Sequence, residues 1–173
     1  RLRQGDRGRA LADLDAAIRI EPRNARVLGL RGRTHQENGQ HDRALADLNA
    51  ALAIERTNIE LLMQRGLLLW QQGNAAGTIA DLTEVLRRNA RNADAYRIRG
   101  LAHARSGDSA RTIADLTQAV ALGVRNAEVY LARAAANERQ GQAQAAIADY
   151  RAAQQIDRGS AAARDGLRRL GAG

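Results

Sequence analysis

Arg31, Arg65, Arg99 and Arg133 are each followed sixteen residues later by an aspartate: Asp47, Asp81, Asp115 and Asp149. Opposite charges recurring at one offset, flanked by apolar positions, predict ion pairing. The sequence leaves open whether each pair closes inside one structural unit or reaches the next. This chemistry is structural rather than catalytic. If the pairs are partly buried, losing one partner should hurt more than losing both.

The residues that could do more are few. His35 and His103 share one register position and read as packing residues, and His41 falls at a turn. Cysteine is absent, which excludes disulfides, thiolate metal sites and a cysteine nucleophile. With no acidic cluster beside the histidines, no metal site is expected. Ser106 and Ser109 flank a turn glycine without a His–Asp partnership. The glycines follow a long period and not the spacing of a phosphate-binding loop. No catalytic residue and no cofactor is expected.

The elements that must position these charges are set by a 34-residue period. Asp13, Asp47, Asp81, Asp115 and Asp149 lie in the segments ALADL, ALADL, TIADL, TIADL and AIADY. A fixed period in this range means stacked copies of one supersecondary unit. Framed from Ala25, full repeats cover 25–58, 59–92, 93–126 and 127–160. Residues 1–24 are a half repeat, and 161–173 form a capping helix. The composition, rich in Ala, Leu and Arg with one Pro and no Phe, favours helix throughout.

Each repeat reads as a helix A and a helix B. Helix A starts after Asn24, Asn58, Asn92 or Asn126, with Ser160 in the same place later; these side chains cap orphan N–H groups. It ends at Gly39, Gly73, Gly107 or Gly141, with Gly5 in the equivalent place. Loops this short make A and B antiparallel neighbours. Helix B carries one apolar stripe, for example Ala44, Leu45, Leu48, Ala51 and Leu52. Gly32, Gly66 and Gly100, with Ala134 in the fourth copy, sit inside helix A, where Gly costs about 1 kcal/mol relative to Ala. Close approach of a facing helix explains them. In the cap, Leu167 and Leu170 should point inward and Gly171 should stop the helix.

With a large residue early in helix A (Leu28, Leu62, Tyr96, Tyr130), a small one four positions later, and small residues in helix B, the chain resembles the tetratricopeptide repeat family. It keeps that family's closing Pro only at Pro22. The resemblance implies an all-α, right-handed α-solenoid of helix-turn-helix repeats with a C-terminal capping helix. It also implies a non-catalytic protein–protein interaction scaffold whose helices A line a concave groove. The implied groove residues are Arg33, Met63, Leu67, Trp70, Arg97, Leu101, Arg105, Leu131 and Arg139. The guest would be a protein or peptide with apolar anchors and some acidic residues. The Lys/Asn pair with which some members clamp acidic tails is missing: those positions hold Gly29 and Arg33, Met63 and Leu67, or Arg97 and Leu101.

Two other readings remain. The repeats could be the recruiting array of a larger enzyme. The net charge of +8 would attract phosphate, but several arginines belong to the proposed pairs and few aromatics are present for base stacking, so nucleic acid is disfavoured. The basic residues are all Arg, which reads as the codon bias of a GC-rich, bacterial genome. No apolar run approaches the roughly 18 residues needed to span a bilayer. The apolar Leu11, Leu14, Ile18 and Ile20 of the half repeat predict either further repeats upstream or end-to-end self-association. Compartment and partner identity are not legible.

Overall fold

The computed structural model describes residues 4–173, with side chains from residue 8 onward; what was expected of residues 1–3 lies outside it. The described residues form helices joined by short loops, with no strand. They fall into two compact units, one ending at Asn74 and one beginning at Ala75. The first holds α1 (Gln4–Ile20), α2 (Ala25–Glu37), α3 (His41–Ile54) and α4 (Ile59–Gln71). The second holds α5 (Ala75–Arg88), α6 (Ala93–Arg105), α7 (Ser109–Ala121), α8 (Ala127–Arg139), α9 (Ala143–Ile156) and α10 (Ala161–Arg169).

Local chemistry sets the boundaries. Asn24 Oδ1 accepts from the Val27 N–H at 3.1 Å, Asn92 from Ala95 at 2.9 Å, and Asn126 from Glu128 at 2.7 Å. Ser160 does the same for α10 through Ala163. Between α2 and α3 the chain turns in three residues, because Gly39 takes φ +74° and lets the Gln40 N–H reach the His35 carbonyl at 2.9 Å. Gly5 behaves differently from expectation. It lies inside α1, which runs unbroken from Gln4; helix propensity tolerates an interior Gly at about 1 kcal/mol, and nothing there demands a left-handed residue.

Within the first unit α1 packs on α2, α2 on α3, and α3 on α4. Within the second each helix from α5 to α10 packs on the next, and α8 also meets α6 and α10. The α2/α3, α6/α7 and α8/α9 hairpins share one core recipe. Small and branched residues of helix B disappear completely: Ala44, Leu48 and Ala51 in α3, Thr112, Leu116 and Ala119 in α7, and Ala146 and Ala153 in α9 are all 0% exposed. A large residue buried this way contributes roughly 1.5–3 kcal/mol. Helix A must come very close to reach it. A methyl group added to Gly100 would stand 2.5 Å from Leu116 Cδ2, and one added to Gly32 would stand 3.2 Å from both Leu48 Cγ and the Ala44 carbonyl oxygen.

Three of the predicted charge pairs brace the α2/α3, α6/α7 and α8/α9 hairpins, and they close within the repeat. Arg31 Nε and Nη2 grip Asp47 at 2.8 and 2.6 Å. Arg99 grips Asp115 at 2.8 and 2.8 Å, and Arg133 grips Asp149 at 2.9 and 2.6 Å. The three aspartates are each 5% exposed, so these are bidentate, largely desolvated pairs rather than loose surface contacts. The remaining nitrogen, Nη1, reaches back sixteen residues to the preceding helix B. There it donates to Asp15 at 2.7 Å from Arg31, Asn49 at 2.8 Å from Arg65, Thr83 at 3.1 Å from Arg99 and Thr117 at 3.2 Å from Arg133. One guanidinium thus ties its own hairpin shut and joins it to the helix before.

A second polar side chain lies beside each of these aspartates. His35 and His103 place Nε2 3.8 Å from Asp47 and Asp115, and Asn137 Nδ2 donates to Asp149 at 3.1 Å. Both histidines are buried, as a packing role requires. Burial pushes the His103 imidazole below its usual pKa, against the pull of Asp115.

At the C-terminal end Tyr150 replaces the leucine of the other B helices, and its ring lies where a methyl on Gly166 would have to be. Its hydroxyl donates to Glu138 at 2.8 Å, and Arg169 spans to Glu138 with two bonds of 2.9 Å. Arg169 and the tyrosine hydroxyl hold the Glu138 carboxyl down to about 2, while burial and the same carboxylate push Tyr150 up to about 12. Leu167 is 4% exposed and Gly171 ends the helix with φ +66°, as expected of the cap. Arg169, exposed on α10, is the strap that ties α10 to α8.

Candidate partner-binding face

Helices A are the elements whose second face is left over once the core and brace are built. In the first unit these are α2 and α4. Arg33 is exposed on α2 and leans on Glu37 at 3.2 Å. It lines a shallow 600 Å³ cavity with Gln36, Glu37, His41 and Gln71, and Gln36 donates to Gln71 across it at 3.0 Å. Met63, Leu67 and Trp70 follow one another along α4 at one-turn spacings, all half-buried.

Beside them lies a 450 Å³ cavity lined by Arg26, Gly29, Leu30, Glu60, Leu61 and Gln64, among others. Gly29 opens it, because any side chain there would run into Leu61 Cδ2. Leu30 stands at its rim, 47% exposed. Gln64 Oε1 is buried and has no hydrogen-bond donor. An amide oxygen held this way is an acceptor waiting for an N–H. Nothing in the repeat pattern marks Gln64, since its register partners Leu30, Ile98 and Ala132 are apolar.

In the second unit the corresponding helices are α6 and α8. Arg97 is drawn 3.1 Å to Asp94, and Arg105 is exposed near the end of α6. Leu101 is only 4% exposed, so its side chain belongs mostly to packing. Leu131 is half-buried against the core built around Tyr130 and Tyr150. Arg139 is exposed, with Nε on its own helix at the Ala135 carbonyl, 3.2 Å away. Among the described residues, no three His, Asp or Glu side chains gather as a metal site would require, and no helix is long and apolar enough to cross a membrane.

Hairpins of one length, each built on a small residue facing a buried B-helix stripe and repeating every 34 residues, define a helical-repeat protein. Tetratricopeptide repeat models match residues 1–66, 63–114 and 105–161. The chain belongs to the tetratricopeptide repeat family. Its fold is similar to that of MamA from Desulfovibrio magneticus RS-1 (residue 41 to the end), with a TM-score of 0.79 at 19% identity over 91% of this chain and 89% of that one. A MamA of AMB-1 gives a TM-score of 0.81 at 22% identity, over 91% and 86%. A chain in the APC/C hetero-tetramer Cut9-Hcn1 gives 0.71 at 20% identity, over 96% of this chain and 34% of that one. At these identities the likeness is one of fold. No curated protein sequence matches.

Proposed function

We propose that this chain is a non-catalytic scaffold that holds a protein or peptide partner against the exposed faces of its A helices. Tetratricopeptide repeats are in general protein-interaction modules, and the chain's own chemistry suits that use. Arg33, Met63, Leu67 and Trp70 on the first unit, and Arg97, Arg105, Leu131 and Arg139 on the second, are the proposed contact residues, while the buried Leu101 is left to packing. Met and Trp supply apolar anchors, and the arginines steer and select a partner that carries some acidic residues.

The observation that carries this reading is the cavity beside α4. A buried acceptor without a donor, an absent side chain at Gly29 and an exposed leucine suit an extended peptide that offers a backbone N–H and an aliphatic side chain. The test is selection of binding peptides from a displayed library, followed by affinity measurement on the intact chain and on a Leu67→Ala, Trp70→Ala variant. Loss of about tenfold or more in affinity is expected for the variant. Equal affinity would move the partner site off this face.

A further inference from the structure

The cavity between α2 and α4 is short of positive charge, and the register of the repeats shows why. Its wall carries Glu55 and Glu60 against the single Arg26. In α6 the residue equivalent to Glu60 is Asp94, and Arg97, three positions on, supplies its cation at 3.1 Å. The residues equivalent to Arg97 are Gly29 in α2 and Met63 in α4. Neither helix that borders the cavity therefore brings a guanidinium from that position. Among the described residues no ion pair engages Glu55, Glu60 or Arg26. Glu55 has one amide partner, Asn58 Nδ2 at 2.7 Å, which satisfies one oxygen and leaves the charge uncancelled.

On the same wall is Gln64 Oε1, buried without a donor. An oxygen so placed has given up its water and is satisfied only by an incoming N–H. In α6 the same position holds Ile98, 1% exposed, so the acceptor does not recur there. The walls are α2, the segment after α3 and the first turns of α4, all interior to the chain. Two carboxylates and a bare carbonyl oxygen repel an acidic group and accept a cationic one. The sign is opposite to that of the chain as a whole, whose net charge is +8.

Resting on the peptide-binding role proposed above for this face, we infer that the α2/α4 cavity seats a basic side chain, lysine or arginine, of the bound peptide. The partner supplies in trans the cation that Arg97 supplies within α6. The peptide's backbone N–H meets Gln64 Oε1, and its cationic head meets Glu60 and the remaining lone pairs of Glu55. The field of the whole chain draws acidic segments toward it, while this one position refuses them.

The probe is a displayed library of randomised heptapeptides, selected on the intact chain near physiological ionic strength and sequenced before and after. Lysine and arginine together should be enriched at least about threefold at one position of the recovered peptides. One recovered peptide is then synthesised with a fluorescent label, beside a twin carrying glutamine at that position. By anisotropy the twin should bind wild type about tenfold more weakly, but the Glu60→Gln chain within about twofold of the parent peptide. Glu60→Gln alters an exposed side chain and keeps the Asn58 cap on the backbone N–H; far-UV circular dichroism verifies the fold. Asp42→Asn changes the same charge on the exposed surface of α3 and should preserve the tenfold preference. Gln64→Ile, the residue of α6 at that position, should weaken parent and twin alike. Peptides that lose affinity on the Leu67→Ala, Trp70→Ala variant yet show no basic enrichment overturn this inference and leave the peptide-binding role standing. A library that yields no binder overturns both. A preference reduced equally by Glu60→Gln and Asp42→Asn reports bulk charge and overturns the seat, as does sedimentation showing that a second copy of the chain occupies the cavity and excludes the peptide.

Discussion

The α2/α3 and α8/α9 hairpins close with the same bidentate brace, yet they surround it differently. In the first, Arg31 has two carboxylates to hold, Asp47 in its own hairpin and Asp15 on the helix before. In the second, Arg133 has one carboxylate, Asp149, and a neutral hydroxyl, Thr117. Asp149 in turn is the shared acceptor of Arg133 and Asn137. The packing differs in step: Gly32 meets Leu48 in the first hairpin, whereas the second pairs Ala134 with Tyr150. The geometry of the pair is fixed by the hairpin, while the cost of breaking it is set by what else each partner touches.

That contrast gives the largest expected effect. Asp149→Ala leaves Arg133 with no carboxylate and Asn137 with an unmet donor, and should cost roughly 3–5 kcal/mol in urea unfolding. Asp47→Ala leaves Arg31 still paired with Asp15 and should cost less, by about 1 kcal/mol or more. Removing both charges with Arg133→Leu, Asp149→Leu should recover part of the larger loss. If the two single alanine variants lose the same stability, the outer acceptors contribute nothing and the comparison fails.

Helix–helix distance comes next. Gly100→Ala forces a methyl into Leu116, which is fully buried and cannot swing away, and should destabilise by about 1–3 kcal/mol. Gly32→Ala meets its neighbours 0.7 Å further off, 3.2 Å against 2.5 Å, and should cost visibly less. Thermal unfolding of the pair ranks them. The reverse order would mean that the backbone contact at the Ala44 carbonyl matters more than the leucine.

The smallest effect depends on pH. Glu138 titrates near 2 in the folded chain instead of its ordinary 4.5, because Arg169 and Tyr150 bind its charged form. Its contribution is therefore complete above about pH 4.5 and is lost as pH falls toward 2. Glu138→Gln, which installs the residue found at the equivalent Gln36, should lower stability slightly at neutral pH and flatten stability against pH across that window, so that the two chains converge near pH 2. An unaltered acid limb would show that the strap from α10 is not formed in solution.

The A helices also show where sequence reading falls short. Asn24, Asn92 and Asn126 act as caps because a cap is decided within three residues. Gly5 differs from the other register glycines for a related reason: the same residue type closes a helix or sits within one, and only the following turn decides. The outer acceptors carry no sequence signature, because Asp15, Asn49, Thr83 and Thr117 differ in type and share only an accepting oxygen. Leu101 reads as an inner-face residue by register, yet it is nearly buried, since exposure depends on what the neighbouring helices bring.

The 34-residue period, the asparagine caps and the Arg–Asp offset are set by the order of residues alone. They follow from hydrogen bonds and side-chain periodicities that act over one or two turns. Tertiary structure decided which oxygen each guanidinium takes. Acceptors sixteen residues before and after an arginine are equally far along the chain, and only the packed distance between helices makes one a bidentate partner and the other a single bond.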